Sequence, residues 1–221
     1  MVNTRRELRE ILILLALYTI PVRSIDLISG LALRNGIFLL LLWYIIDLRD
    51  RRRELTPPLP GSTIRSKLGA VVPGAVLIAL GLYGLSELVT VAFPTSDSGA
   101  SVLITFLQDA IERQGLWVVV AYMIPTMVVI GYAEELFFRA YLLGQLRSLG
   151  ASSNIAICVA AVLFALGHIH QGPGAFIFAG ISAVLLGALW YRIPRIDVFA
   201  VGHSLYNVVA LSGLLRGILS S

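Results

Sequence analysis

The chain has 221 residues, 57% hydrophobic and 14% charged, with a formal net charge of +4, whereas an average soluble domain is about 25% charged. That balance excludes a soluble globular domain, and at about 20 apolar residues per membrane-spanning helix it provides for six or seven spans. The Arg and Lys residues crowd into short stretches between apolar runs, as orientation signals do, so the positive charge does not point to a nucleic-acid partner.

Apolar segments fall at 8–22, 27–46, 68–93, 118–143, 154–168, 173–191 and 196–218. They predict an all-α fold: a polytopic transmembrane bundle of about seven helices, forming one integral membrane domain over residues 1–221 and embedded in a lipid bilayer. The first and fifth segments are short for a span, and Arg34 interrupts the second. The first lacks the pattern of a removable leader and is expected to stay. Cys158, the one cysteine, lies in an apolar run and reads as a buried, inert thiol.

The stretch 47–67 carries Arg49, Arg51, Arg52, Arg53, Arg65 and Lys67, with Pro57, Pro58 and Pro60 breaking any helix in its middle. The positive-inside rule makes it a cytoplasmic loop. Counting from it, the N-terminus with Arg5, Arg6 and Arg9 is cytoplasmic, and the connection 94–101, which has no Lys or Arg, is external. The turns holding Arg147 and Arg192 with Arg195 return to the cytoplasmic side. Segment 102–117 mixes Leu103, Phe106, Leu107 and Ile111 with Asp109, Glu112 and Arg113, a pattern that fits an amphipathic helix on the outer surface.

Ionisable groups at membrane depth are costly and mark function by default. Three clusters qualify, all in the helices of residues 118–218. In the first, Glu134 and Glu135 precede Arg139; Glu135 and Arg139 stand at i, i+4 and can pair, while Glu134 turns about 100° away. In the second, Phe164 and His168 share a face at i, i+4, and His170 follows in a turn. In the third, His203 and Asn207 are again i, i+4. Taken singly, each has a plainer reading: snorkelling charges at a helix end, a packed core histidine, or interhelical hydrogen-bonding glue.

Depth lifts them above those readings. At 1.5 Å per residue, Glu134 lies roughly 15 Å from the cytoplasmic end of its helix, His168 roughly 21 Å, His203 roughly 10 Å and Asn207 roughly 16 Å. Four polar residues on three antiparallel helices thus meet near the middle of a bilayer core about 30 Å thick. They are the parts for water-dependent acyl transfer. Glu134 can take a proton from water, a histidine can orient that water or act as acid, and His203 with Asn207 can donate to a developing oxyanion. Ser204 is turned away from His203, which disfavours a covalent nucleophile.

Glu134-Glu135-x-x-x-Arg139, then Phe164-x-x-x-His168, then His203-x-x-x-Asn207, in that order on successive apolar segments, resembles the CPBP family of intramembrane proteases. Its members are similar to type II CAAX prenyl endopeptidases and bacteriocin-processing proteins. The resemblance covers roughly the last 100 residues. It implies peptide-bond hydrolysis in or at the edge of the membrane, on a peptide or protein substrate held there. It also implies that Glu134 with His168 activates water, that His203 with Asn207 holds the oxyanion, and that Glu135, Arg139 and Phe164 shape the site or grip the substrate. The compact length suggests a prokaryotic plasma membrane.

The expected mechanism uses no cofactor. The alternative is a catalytic zinc held by Glu134, His168 and His203, a two-histidine, one-carboxylate set with an open position. Two other functions remain compatible with the residues: a non-catalytic immunity or partner-binding membrane protein on the same fold, and a small proton- or ion-coupled transporter.

Overall fold

The computed structural model describes residues 4–19, 35–41, 43–45, 64–93 and 98–220. In chain order its elements are α1 (Thr4–Thr19), α2 (Asn35–Ile45), α3 (Ile64–Ala92), α4 (Ser98–Gln114) and α5 (Leu116–Glu135). A π-helical segment (Leu136–Leu142), α6 (Leu143–Ser148), α7 (Ser153–Gly167), a 3-10 turn (Ile169–Gln171), α8 (Pro173–Trp190) and α9 (Ile196–Ser220) complete the chain. No strand occurs among the described residues, and the protein is an all-α membrane bundle.

Four stretches are long and apolar enough to cross a bilayer: Val71–Ala92, Leu116–Ser148, Pro173–Trp190 and Ile196–Ser220; Asn35–Ile45 and Ser153–Gly167 are apolar but shorter. The expected count of seven is therefore approximate. The 15 residues of α7 rise roughly 22 Å, short of a hydrocarbon core about 30 Å thick. Of the expected cytoplasmic loop 47–67, residues 47–63 lie outside the described residues, as do Arg34 and residues 94–97 of the expected external connection. The amphipathic segment expected at 102–117 is α4, shifted towards the N-terminus. It ends at Gln114 because Gly115, at φ 89°, breaks the helix before α5 begins. Its apolar face buries Leu107 and Ala110, while Arg113 pairs with Asp109 at 2.7 Å on the exposed side.

Large apolar side chains also face outward. Leu77, Leu80 and Leu88 on α3, Val162 on α7 and Leu185 on α8 are each more than half exposed. Helices apolar on their outer as well as their inner face have lipid as their solvent. Cys158 is exposed on α7, which corrects the expectation of a buried thiol. In a lipid-embedded bundle an apolar run has an outer face that touches no protein.

Helix α9 packs against both α3 and α5, and small residues set the approach. A Cβ on Gly202 would lie 2.8 Å from the Ala75 carbonyl oxygen, and one on Gly131 would lie 2.6 Å from Ser204 Oγ and 2.8 Å from Ser204 N. Ser204 Oγ donates across this crossing to the Val128 carbonyl at 3.2 Å. Between lipid-embedded helices, where hydrophobic burial gives little drive, such close contact and interhelical hydrogen bonding supply the adhesion. His203 stands between Gly202 and Ser204, so both crossings fix its backbone.

The helix begun as α5 continues through the π-helical segment and α6 as one stretch of 33 residues, Leu116–Ser148. Pro125 lies inside it; the next residue, Thr126, donates its hydroxyl to the Tyr122 carbonyl at 2.7 Å and accepts from Asn35 Nδ2 at 2.9 Å, tying α2 to α5. The π-helical segment follows Glu134 and Glu135 directly. Such widened turns are rare and concentrate at functional sites. This one buries Phe137, Phe138, Tyr141 and Leu142 in the main apolar cluster with Phe164, Ala160 and Ala183, and Tyr141 donates to Glu10 of α1 at 2.8 Å.

Candidate active site

The three polar clusters converge. Near the end of α5, Glu134 and Glu135 are 4% and 0% exposed; Arg139 of the π-helical segment is 2% exposed, and His203 of α9 is 7% exposed. His203 Nδ1 lies 2.7 Å from Glu135 Oε1, and its Nε2 lies 3.5 Å from Glu134 Oε2. The same Glu135 oxygen faces Arg139 Nη1 at 3.2 Å. One imidazole is thus bracketed by two neighbouring carboxylates, and the inner carboxylate is backed by a guanidinium. Four ionisable groups with negligible exposure would be prohibitive in isolation; mutual pairing is what makes the burial tolerable.

Phe164 of α7 is the common wall. Its ring centroid is 4.6 Å from that of His168, 6.4 Å from that of His203 and 4.9 Å from that of Phe138, and the Arg139 guanidinium carbon stands 5.1 Å from the ring centre. A cation over an aromatic face gains from the ring quadrupole, the more so when desolvated. His168 caps the end of α7, half-buried, with Nδ1 2.8 Å from the Phe164 carbonyl oxygen. A carbonyl only accepts, so Nδ1 carries a hydrogen, and in the neutral ring Nε2 is the acceptor. Asn207 sits one turn beyond His203 on α9, half-buried.

The predicted residues Glu134, Glu135, Arg139, Phe164 and His203 are therefore in one contact network, and His168 joins it through Phe164. Sequence spacing foresaw the Glu135–Arg139 pair. It did not foresee that Glu135 also bonds His203, because i, i+4 reasoning sees one helix at a time. Two further residues were not assigned a role: Tyr206, whose ring centroid is 6.4 Å from that of His203, and Gly131, which admits α9. The only sequence signal for Tyr206 was its i+3 spacing from His203.

Among the described residues, no group of three His, Cys, Asp or Glu side chains is arranged to hold a metal ion.

Residues 114–209 match the family model described as type II CAAX prenyl endopeptidase Rce1-like. No curated protein and no solved structure matches the chain. The matched segment runs from the end of α4 into α9 and contains Glu134, Glu135, Arg139, Phe164, His168, His203 and Asn207, so this part of the bundle is similar to the CAAX-type (CPBP) intramembrane proteases.

Proposed function

We propose that the protein is an intramembrane endopeptidase that hydrolyses a peptide bond of a membrane-associated or hydrophobic peptide, using water activated by Glu134 and without a metal cofactor. The observation that carries this reading is the placing of His203 between two buried carboxylates, within the family segment and beside the ring that supports His168. Glu134 takes a proton from water. The bare Nε2 of His168 accepts a hydrogen bond from the same water and orients it. His203 and Asn207, on adjacent turns of α9, serve the side of the substrate where the oxyanion and the leaving amine develop. Burial keeps bulk water out of the site, which strengthens each of these interactions. In the orientation read from loop charges, the N-terminus is cytoplasmic and the site lies at mid-membrane depth.

The test is incubation of purified protein in lipid nanodiscs with membrane-anchored, prenylated and signal-peptide-like peptides, followed by mass spectrometry of the products. Cleavage at a defined bond that is lost in Glu134→Ala supports the proposal. No cleavage of any peptide, or cleavage retained by Glu134→Ala, overturns it.

A further inference from the structure

The hydrogen-bond geometry assigns a proton path that goes beyond the water-activating role of Glu134, and it rests on the protease reading. Glu135 Oε1 is approached by two groups, His203 Nδ1 at 2.7 Å and Arg139 Nη1 at 3.2 Å. The guanidinium carries hydrogens only and accepts nothing. An oxygen ion-paired with it belongs to a carboxylate, which carries no hydrogen, so the hydrogen between Glu135 and His203 belongs to Nδ1. The neutral ring is then bare at Nε2, and Nε2 is the atom that faces Glu134 Oε2 at 3.5 Å.

We propose that Glu135 is a positioning residue that fixes the His203 tautomer, and that His203 is a catalytic proton carrier between Glu134 and the leaving amine. In the first step a water O–H bond breaks, its proton goes to Glu134, and the water oxygen bonds to the scissile carbonyl carbon. Glu134 passes that proton to His203 Nε2, giving an imidazolium whose Nδ1–H stays on Glu135. When the carbon–nitrogen bond breaks, its electron pair remains on nitrogen, which takes the Nε2 proton. One water is consumed, one carboxylic acid and one amine are formed, and Glu134 and His203 return to their starting states. A carboxylate that holds an imidazole by Nδ1 and stabilises its protonated form is the logic of a serine-protease triad, here with a second carboxylate in place of the serine. Donation to the oxyanion then falls to Asn207.

Fold geometry supports this division. Glu135 is 0% exposed and lies against Arg139 and His203, which suits a positioning role. The crossing that seats Ser204 on Gly131 holds the ring's backbone in register with both carboxylates.

The chain has three histidines, so 15N-histidine spectra of the protein in nanodiscs resolve the two site rings, with His168→Gln and His203→Gln spectra assigning them. At a pH where the ring is neutral, His203 should carry its hydrogen on Nδ1. Glu135→Gln, whose amide oxygen can still accept from His203 Nδ1, should keep that tautomer while lowering kcat with little change in KM. Glu135→Leu combined with Arg139→Met removes both buried charges at similar volume; it should release His203 to the Nε2–H form and lower kcat about a hundredfold or more, the usual worth of a positioned acid–base group. An Nε2–H His203 in the wild-type protein, or an Nδ1–H His203 in the double variant, overturns the positioning role. Wild-type kcat in the double variant overturns the carrier role. An Nδ1–H ring in a protein that cleaves none of the peptides refutes the protease reading, and the carrier role with it, while leaving the tautomer assignment standing.

Discussion

Gly131→Ala tests whether the α5–α9 crossing is what aligns the site. The added Cβ would stand 2.6 Å from Ser204 Oγ, 2.8 Å from Ser204 N and 2.9 Å from Ser204 Cα. The hydroxyl can rotate away but the backbone atoms cannot, so α9 must retreat by roughly half an ångström or more to restore ordinary contact distances. Overpacking of this kind costs about 1–3 kcal/mol. The retreat carries His203, the next residue, away from Glu134 and Glu135. A misplacement of about 1 Å can cost a hundredfold in rate, so kcat should fall roughly ten- to a hundredfold with KM little changed. The control is Gly213→Ala, on the same helix but with nothing within 4 Å of the new Cβ, which should leave the rate intact and the melting temperature equal or higher. Peptide turnover and thermal unfolding in nanodiscs measure both effects. A Gly131→Ala protein with wild-type kcat would refute the claim that this contact sets the catalytic geometry.

Three other outcomes are expected. Glu134→Gln keeps shape but loses the base, so turnover should drop by about two decades or more with an unchanged melting temperature; a matching loss of stability would assign Glu134 a structural role instead. Chelator titration of active protein, with elemental analysis, should leave turnover intact, and one tightly bound zinc whose removal stops catalysis and whose return restores it would establish a metal mechanism. In a Cys158→Ala background, single cysteines near Arg51 should resist an impermeant thiol reagent in intact cells and those at 94–101 should react; labelling near Arg51 from outside would reverse the orientation.

The fold class was legible because lipid imposes a simple rule: the backbone must satisfy itself, so apolar runs of sufficient length become helices. Their boundaries were less so. The segment 118–143 reads as one span that stops at Leu143, yet its helix runs on to Ser148 and takes in Gln145 and Arg147 beyond the apolar run. The π-helical segment at Leu136–Leu142 left no mark in composition; in the fold it seats Phe137, Phe138 and Tyr141 in the main apolar cluster. That Glu134, Glu135, Arg139, His168 and His203 would gather was legible from the expense of burying them in an apolar chain. The partner of each was not. Glu135 was read as pairing with Arg139 to shape the site or grip the substrate, and only the crossing of α5 with α9 brings His203 to it.

That crossing explains why the two adjacent glutamates can have different tasks. Successive residues on a helix diverge by about 100°, so Glu134 and Glu135 cannot share a face; they can share a neighbour only if its two ends differ. An imidazole has such ends. Nδ1 takes Glu135, which Arg139 backs at 3.2 Å, and Nε2 faces Glu134 at 3.5 Å. A carboxylate committed to a buried guanidinium is a poor base because protonating it would strand that cation, a cost of several kcal/mol. Removing Arg139 alone should therefore do more than loosen the helix. Arg139→Met leaves Glu135 with His203 as its one cationic partner among the described contacts, and the imidazolium form of His203 should become harder to discharge to the leaving amine. Leaving-group dependence reads this directly: with substrates of poorer leaving amines the Arg139→Met rate should fall more steeply than the wild-type rate, and parallel dependences would show that Arg139 acts through stability alone.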